Sequence, residues 1–263
     1  MVERAAISIS ALAAMIQAVQ NRSAGDMAGM GRGRMEPVRT AWGAVPRGTL
    51  HEWFAAAPPG VLMIDLARAA VQQRKGTVFW IGRACWPYAA ALSCLSHGLL
   101  EGSVFVDVSA RQPGQPGVRA WAIDLVLRSS ATAAVVADGR ELDTAQSRRL
   151  QLAAEAGGAL ALLWRKEEEL RTLSVAHYRW RVTPAPTAAP YPRWRIERLR
   201  CKDAVAGRQG TSEHDLPGLS GGLSGGLMMV EHHGTQGLIA VPAELGDRSR
   251  EAALAARVGR RSA

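Results

Sequence analysis

Short apolar runs alternate with longer amphipathic stretches between residues 49 and 164. The runs Thr77–Gly82 (Thr-Val-Phe-Trp-Ile-Gly) and Ala133–Ala137 (Ala-Ala-Val-Val-Ala) are typical of strands that are buried on both faces. The stretches between such runs have the length and pattern of helices that cover a sheet. The pattern predicts strands at 49–54, 77–82, 103–108, 133–137 and 158–164, and helices at 62–73, 87–95, 118–129 and 144–156.

This alternation predicts an α/β fold with a mostly parallel sheet. Apolar strands need cover on both faces, and crossovers between parallel strands are right-handed in almost all proteins. The expected result is a three-layer αβα core, in which helices lie on both faces of a doubly wound sheet. Asp143 stands directly before the last helix of the series, where we expect it to cap the helix N-terminus.

The pattern changes to period 2 after Trp164, which predicts half-exposed strands at 177–182 and 193–196. Residues 183–192 between them contain four prolines and are expected to form an extended loop. The two strands form a β-hairpin extension of the core. Aromatic and aliphatic side chains share one face of each strand, and arginines share the other: Tyr178, Trp180, Val182, Trp194 and Ile196 against Arg179, Arg181, Arg193 and Arg195.

The distribution of apolar, glycine-rich and basic segments predicts one core domain with flexible termini. After residue 203 the chain carries the repeat Gly-Leu-Ser-Gly-Gly at 218–222 and 222–226, a strand-like run at 227–230 and a predicted basic helix at 247–261. The predicted segments are an N-terminal helix at 1–20, a flexible Gly/Met/Arg-rich linker at 21–44, the core at 45–203 and a low-complexity, basic tail at 204–263.

The composition narrows the class of protein. A chain of 263 residues that is 48% apolar can bury a sizeable core and is not wholly disordered. Its net charge of +9 favours an anionic partner or an acidic protein surface. Three cysteines without a Cys-x-x-Cys pair argue against a disulfide framework. Since no stretch reaches the roughly 18 apolar residues of a membrane-spanning helix, we expect a cytoplasmic protein without a membrane partner.

Residues 48–62 occupy the first strand-to-helix turn, where a nucleotide-binding protein carries its phosphate loop. That loop reads G-x-x-x-x-G-K-[ST]: backbone N–H groups surround the phosphates, the lysine offsets their charge and the hydroxyl holds Mg²⁺. Pro58 and Pro59 supply no N–H group here. The stretch is either a degenerate phosphate loop that does not bind a triphosphate or an ordinary turn. The residues aligned with Gly, Gly, Lys and Ser/Thr are Ala55, Gly60, Val61 and Leu62.

Other catalytic patterns lack their structural context. No Asp or Glu stands between Trp80 and Leu100, where a nucleotide hydrolase of this architecture places a water-orienting carboxylate. Asp138 ends the fourth strand, but no lysine or hydroxyl is there to share a metal with it. The two G-x-S-x-G matches in the tail lack the flanking strand and helix of a nucleophile elbow. We therefore predict no enzyme activity, no catalytic residue, no metal site and no cofactor.

The arginine and aromatic hairpin is the candidate contact surface. Arginines that alternate with aromatic residues can bind phosphates while the rings stack on bases, as in single-stranded DNA-binding proteins. In the alternative interpretation the rings pack inward on the sheet and leave a solvated arginine face, which an acidic protein could also contact. The candidate contact residues are Arg179, Arg181, Arg193, Arg195, Trp180 and Trp194.

From Trp42 to Lys202 the chain resembles the ImuA family, RecA-like proteins encoded with a damage-inducible mutagenesis cassette. The run at 147–158 and the paired Arg-Trp-Arg strands are the most specific part of this resemblance. Arg165–Ser174 is much shorter than the DNA-binding loop of a recombinase, which argues against a RecA-like DNA filament. The runs that carry the resemblance are PRGTLHE (46–52), TVFWI (77–81), SRRLQLAAEAGG (147–158), YRWRVTP (178–184) and PRWRIERLRC (192–201).

The resemblance implies a RecA-like core without ATPase activity, which acts in SOS-induced translesion DNA synthesis. The implied partners are the RecA recombinase, an ImuB-like polymerase adaptor and an error-prone C-family DNA polymerase. The family is distantly related to SulA, so a SulA-like inhibitor of cell division is one alternative function. A single-stranded DNA-binding module built on the hairpin is the other.

Overall fold

The computed structural model describes residues 13–14, 16–18, 36–95, 98–108, 117–202, 227–233 and 237–241. The strands are β1 (Val38–Thr40), β2 (Gly43–Val45), β3 (Leu50–Phe54), β4 (Thr77–Ile81), β5 (Ser103–Val106), β6 (Thr132–Asp138), β7 (Leu160–Arg165), β8 (Tyr178–Ala185), β9 (Arg193–Cys201), β10 (Leu227–His232) and β11 (Leu238–Val241). The helices are α1 (Gly60–Gln73), α2 (Ala89–Leu95), α3 (Val118–Leu127) and α4 (Thr144–Gly157). Short 3₁₀ turns lie at Arg83–Cys85 and Glu167–Arg171.

Nine strands form one sheet in the order β11-β10-β9-β8-β3-β7-β6-β4-β5. The six strands from β8 to β5 in this order pair in parallel, whereas β9, β10 and β11 add antiparallel strands beyond β8. The hairpin β1–β2 stands apart as a separate two-stranded sheet. The predicted α/β fold with a mostly parallel sheet and a hairpin extension is confirmed.

Two apolar clusters hold helices on opposite faces of the sheet. Leu62 and Leu66 of α1 pack with Trp53 and Trp80 of the strands on one face. On the other face, residues of α3 and α4 such as Ile123 pack against alternate strand positions. Because successive side chains of a strand point to opposite faces, strands buried on both sides read as continuous apolar runs. The core therefore has the three layers that the sequence predicts.

The structure differs from the predicted segment boundaries at both ends of the core. Residues 36–44, assigned to the flexible linker, include β1 and β2, and Val38 and Trp42 are buried in the cluster beneath α1. Within the predicted tail, β10 and β11 pair with the sheet because Met228 and Val230 bury their side chains against the same cluster. The Gly-Leu-Ser repeat and the predicted basic helix at 247–261 lie outside the described residues.

The N-terminal prediction concerns residues of which few are described. Residues 13–14 and 16–18 are helical, and Ile16 is buried in the cluster that contains α3 and α4. No helix in the described ranges is long and apolar enough to cross a membrane.

Asp143 caps α4 as the sequence predicts. Its carboxylate accepts a hydrogen bond from the backbone N–H of Gln146, whose side chain accepts one in return from the backbone N–H of Asp143. This capping box satisfies two of the N–H groups that a helix leaves without partners. The helix ends at Gly158, which adopts the left-handed conformation.

Candidate functional site

The carboxyl ends of the parallel strands meet at one edge of the sheet, where α/β proteins bind their ligands. Ala55 follows β3, Gly82 follows β4, Asp138 ends β6 and Arg165 ends β7. The residues aligned with a phosphate loop and Asp138 are therefore brought to the same edge. The contacts of these side chains and of the backbone N–H groups determine which ligands this edge can bind.

The turn from β3 to α1 uses its backbone groups within the chain. The N–H of Ala55 donates to the carbonyl of Arg165 at 3.2 Å, and the carbonyl of Ala55 accepts from the indole of Trp164 at 3.1 Å. The N–H of Gly60 donates to the carbonyl of Pro58 at 2.8 Å. A phosphate cradle needs such N–H groups directed at the ligand. The N–H groups of Ala55 and Gly60 instead donate to carbonyl groups of the chain.

The side chains aligned with the lysine and hydroxyl of a phosphate loop pack inward. Leu62 is buried in the apolar cluster under α1, and Val61 is partly buried against it. Gly60, the retained glycine, does not have a positive φ, and a Cβ atom added there would meet nothing within 4 Å. Neither its conformation nor its surroundings require glycine. These contacts are those of an ordinary turn between a strand and a helix.

Asp138 is buried and bound by two arginines. Its carboxylate accepts hydrogen bonds from Arg140 Nε at 2.8 Å and Nη2 at 2.7 Å, and from Arg119 Nη1 at 3.2 Å. Burial alone raises the pKa of Asp138, but the hydrogen bonds from Arg140 and the charge of Arg119 outweigh it and hold that pKa below its ordinary value. Arg140 also lies over the ring of Trp164, 4.8 Å from its centre. The positive charge that balances this carboxylate comes from the chain itself.

The ion pairs of Asp138 predict a pH dependence of stability. Because the pKa of Asp138 is lower in the folded chain than the roughly 3.9 of an unfolded aspartate, its contribution is complete above that value and is lost as the pH falls through the folded pKa. We expect the difference in unfolding free energy between the chain and Asp138→Asn to be largest near neutral pH and to shrink below about pH 4. Urea unfolding of both proteins across this pH range measures the difference in unfolding free energy. A difference that does not change with pH would contradict the contribution of the ion pairs.

A second buried ion cluster is centred on Glu52 in β3. Its Oε1 accepts from Arg165 Nη1 at 2.9 Å and from Ser174 Oγ at 2.8 Å, and its Oε2 accepts from Arg179 Nε at 3.0 Å. Glu169 in the 3₁₀ turn accepts a further hydrogen bond from Arg165 Nε at 2.7 Å. The cluster joins β3, β7, β8 and the short segment that follows β7.

Arg179, a candidate contact residue, is therefore partly buried and directed into this cluster. Besides its pairing with Glu52, its Nη2 donates to the carbonyls of Leu170 and Thr172, and its guanidinium lies 4.6 Å from the ring centre of Phe54. These groups occupy Nε and Nη2 of Arg179, which reduces what the side chain can offer a phosphate.

The other candidate residues divide into core, ion-paired and exposed positions. Trp180 is buried in a stack with Trp53 and with His51, to whose Nδ1 its indole N–H donates at 3.3 Å. Trp194 is partly buried against the same apolar cluster. The inward packing of the rings follows the alternative that the sequence allows, and a buried Trp180 has no free face for a base.

The remaining arginines of the hairpin differ in their partners. Arg181 pairs with Glu197 at 2.7 Å, and Arg193 is buried in an ion pair with Glu231 of β10. Arg195 is exposed. Contact of these residues with DNA or with a partner protein stays a prediction.

Sequence reasoning misses the residues that organise this edge: Glu52, Arg119, Arg140 and Arg165. The available signal is a charged residue within or directly after an apolar strand, since an unpaired charge is rarely buried. Glu52 and Arg165 show this signal, but nothing local reveals that they are partners. Among the described residues, no group of three or more His, Cys, Asp or Glu could hold a metal ion.

The chain is similar in sequence to protein ImuA. Protein ImuA of Caulobacter vibrioides, recorded for strains NA1000 / CB15N and ATCC 19089, is 28% identical over 188 residues, which cover 63% of this chain and 75% of that protein. No protein-family model matches the chain.

Solved structures share the fold. The flagellar accessory protein FlaH from Methanocaldococcus jannaschii is 12% identical with a TM-score of 0.50, over 79% of this chain and 99% of its own. The RadB recombinase is 11% identical with a TM-score of 0.48, over 74% of this chain and 92% of its own, and the fold assignment rests on FlaH rather than on RadB. The chain thus has the α/β fold of FlaH and is similar in sequence to ImuA over 188 residues.

Proposed function

We propose that this chain is an ImuA-type accessory protein of SOS-induced translesion DNA synthesis, and that it acts through protein contacts without hydrolysing nucleotide. Its likeness to ImuA over 188 residues carries the first part of the proposal. The second part is supported by Asp138, whose charge is balanced by Arg119 and Arg140, and by a turn with Val61 and Leu62 in place of a lysine and a hydroxyl.

The proposed partners follow from the same likeness: the RecA recombinase, an ImuB-like polymerase adaptor and an error-prone C-family DNA polymerase. The proposed place of action is the cytoplasm, where these partners meet damaged DNA. A subunit with a recombinase-like surface and no nucleotide switch would cap or modulate a RecA filament rather than extend it.

Nucleotide chemistry is tested directly with the full chain. We expect calorimetric titration with Mg-ATP to give no binding heat and an ATPase assay to give no turnover, because the N–H groups of Ala55 and Gly60 donate within the chain and Asp138 is paired with Arg119 and Arg140. Asp138→Asn serves as the control for trace contamination. Turnover by the chain that this substitution abolishes would overturn the non-catalytic part of the proposal.

The effect of the chain on RecA filaments and the effect of its gene in cells test the proposed accessory role. Titration of the chain into a RecA filament should change the length of the filament or its rate of ATP turnover, whereas no effect at stoichiometric excess would contradict the capping mechanism. Deletion of the gene should remove damage-induced mutation. Division arrest on overproduction without DNA damage would favour a SulA-like inhibitor instead.

A further inference from the structure

Three cations lie together at one corner of the fold without a carboxylate partner. Arg148 of α4, Arg200 of β9 and Lys202 after β9 form no ion pair within the described ranges. Their proximity is reflected in the pKa of Lys202, which is lowered by burial and then by the charges of Arg200 and Arg148, against an opposing effect of Glu155. With Arg148, Arg200 and Lys202 against the single carboxylate of Glu155, this corner has a local excess of positive charge.

The fold holds these cations in place. Arg200 Nη1 donates to the carbonyl of Ser174 at 2.8 Å, and Lys202 Nζ donates to the carbonyl of Val175. Ser174 is tied in turn to α4, because its hydroxyl lies 2.9 Å from that of Ser147. Main-chain carbonyls position the two cations but carry no net charge to neutralise them. The charges therefore remain available to a partner.

Exposed leucines lie among the cations. Arg148, Leu152 and Glu155 are spaced along one face of α4, and the charges at both ends of this row act on Lys202. Leu152, in the middle of the row, is 52% exposed. At the start of the helix, Thr144 Oγ1 donates to the carbonyl of Leu173, whose side chain is 79% exposed. We name Arg148, Leu152, Leu173, Arg200 and Lys202 the α4 corner.

We propose that the α4 corner binds an acidic segment of a partner protein, whose carboxylates pair with the cations and whose leucine-type side chains pack on Leu152 and Leu173. A protein fits this surface better than a nucleic acid does. Proteins that bind single strands stack bases on aromatic rings, whereas the apolar members of the corner are aliphatic. The inference stands independently of the proposed function, because it identifies the partner by its chemistry alone.

Fluorescence anisotropy with three labelled probes tests this. The first is a short peptide with leucines at every third or fourth residue among glutamates, which matches the spacing of a helix face. The second is the same peptide with serine in place of leucine, and the third is oligo(dT). We expect the full chain to bind the first peptide at least tenfold more tightly than the second, as the loss of buried leucines removes the apolar contacts.

Substitutions locate the binding. Arg148→Glu and Leu152→Ser, both at exposed positions, should each weaken binding of the first peptide about tenfold. Arg195→Glu, the matched charge reversal at an exposed arginine of the hairpin, should change it by less than about twofold. Thermal unfolding of each variant confirms that the fold is retained.

Four results would overturn the inference. They are equal binding of the two peptides, no effect of Leu152→Ser, tighter binding of oligo(dT) that Arg148→Glu removes, and self-association of the chain that Leu152→Ser abolishes. The last two would assign the corner to a nucleic acid or to a second copy of the chain.

Discussion

Glu52→Ala should destabilise the fold by about 3–5 kcal/mol, because it leaves Arg179 without a counter-charge and Arg165 with Glu169 alone. Glu52 is 0% exposed, and Arg165 and Arg179 both donate to its carboxylate. The substitution also removes the acceptor of Ser174 Oγ. Urea unfolding monitored by tryptophan fluorescence measures the change, since Trp53 lies next to the site in β3.

The matched control removes a carboxylate from an exposed ion pair. Glu197 pairs with Arg181 on the hairpin, where both side chains are about one-third exposed. Such pairs contribute roughly 0–1 kcal/mol, so Glu197→Ala should have a small effect. Equal changes in unfolding free energy for the two substitutions would show that the cluster around Glu52 is solvated and stabilises the fold no more than an exposed ion pair.

Gly157→Ala should also destabilise the fold, because the ends of α3 and α4 touch at this glycine. A Cβ atom added at Gly157 would lie 1.9 Å from the carbonyl oxygen of Leu127, which is far inside van der Waals contact. Backbone atoms must move to relieve the clash, at a cost of at least the 1–3 kcal/mol typical of overpacking. The same unfolding measurement reports the loss.

Gly60→Ala is the control for Gly157→Ala. Since an added Cβ atom meets nothing within 4 Å and α1 begins at this residue, the change should be neutral or stabilising by up to about 1 kcal/mol. A large loss of stability at Gly60 would contradict the turn geometry, and a small loss at Gly157 would contradict the close helix contact.

The sequence predicts the core well because the relevant signals are local. The strand and helix positions between Leu50 and Arg165 follow from runs of apolar residues, and Asp143 is visible as a cap from its place before α4. The inward packing of Trp180 follows from period 2 in β8. Each of these properties depends on residues within a few positions of one another.

Contacts between distant residues are what the sequence cannot predict. Glu52 and Arg165 are 113 positions apart, and Arg179 is more distant still, so no pattern indicates that the three meet. The hairpin of β1 and β2 consists of strands of three residues, too short to show a period. The pairing of β10 with β9 joins segments separated by a glycine-rich stretch whose composition indicates only a tail.

The salt bridges around Asp138 have an evolutionary consequence. A lineage that acquired a lysine at position 61 and a hydroxyl at 62 would still find the aspartate occupied by Arg119 and Arg140. Replacement of one arginine would leave the buried carboxylate with the other alone, and replacement of both would leave an uncompensated buried charge, which is costly. Magnesium binding at Asp138 would therefore require these ion pairs to be broken as well as a lysine and a hydroxyl to be gained, so that several substitutions are needed together.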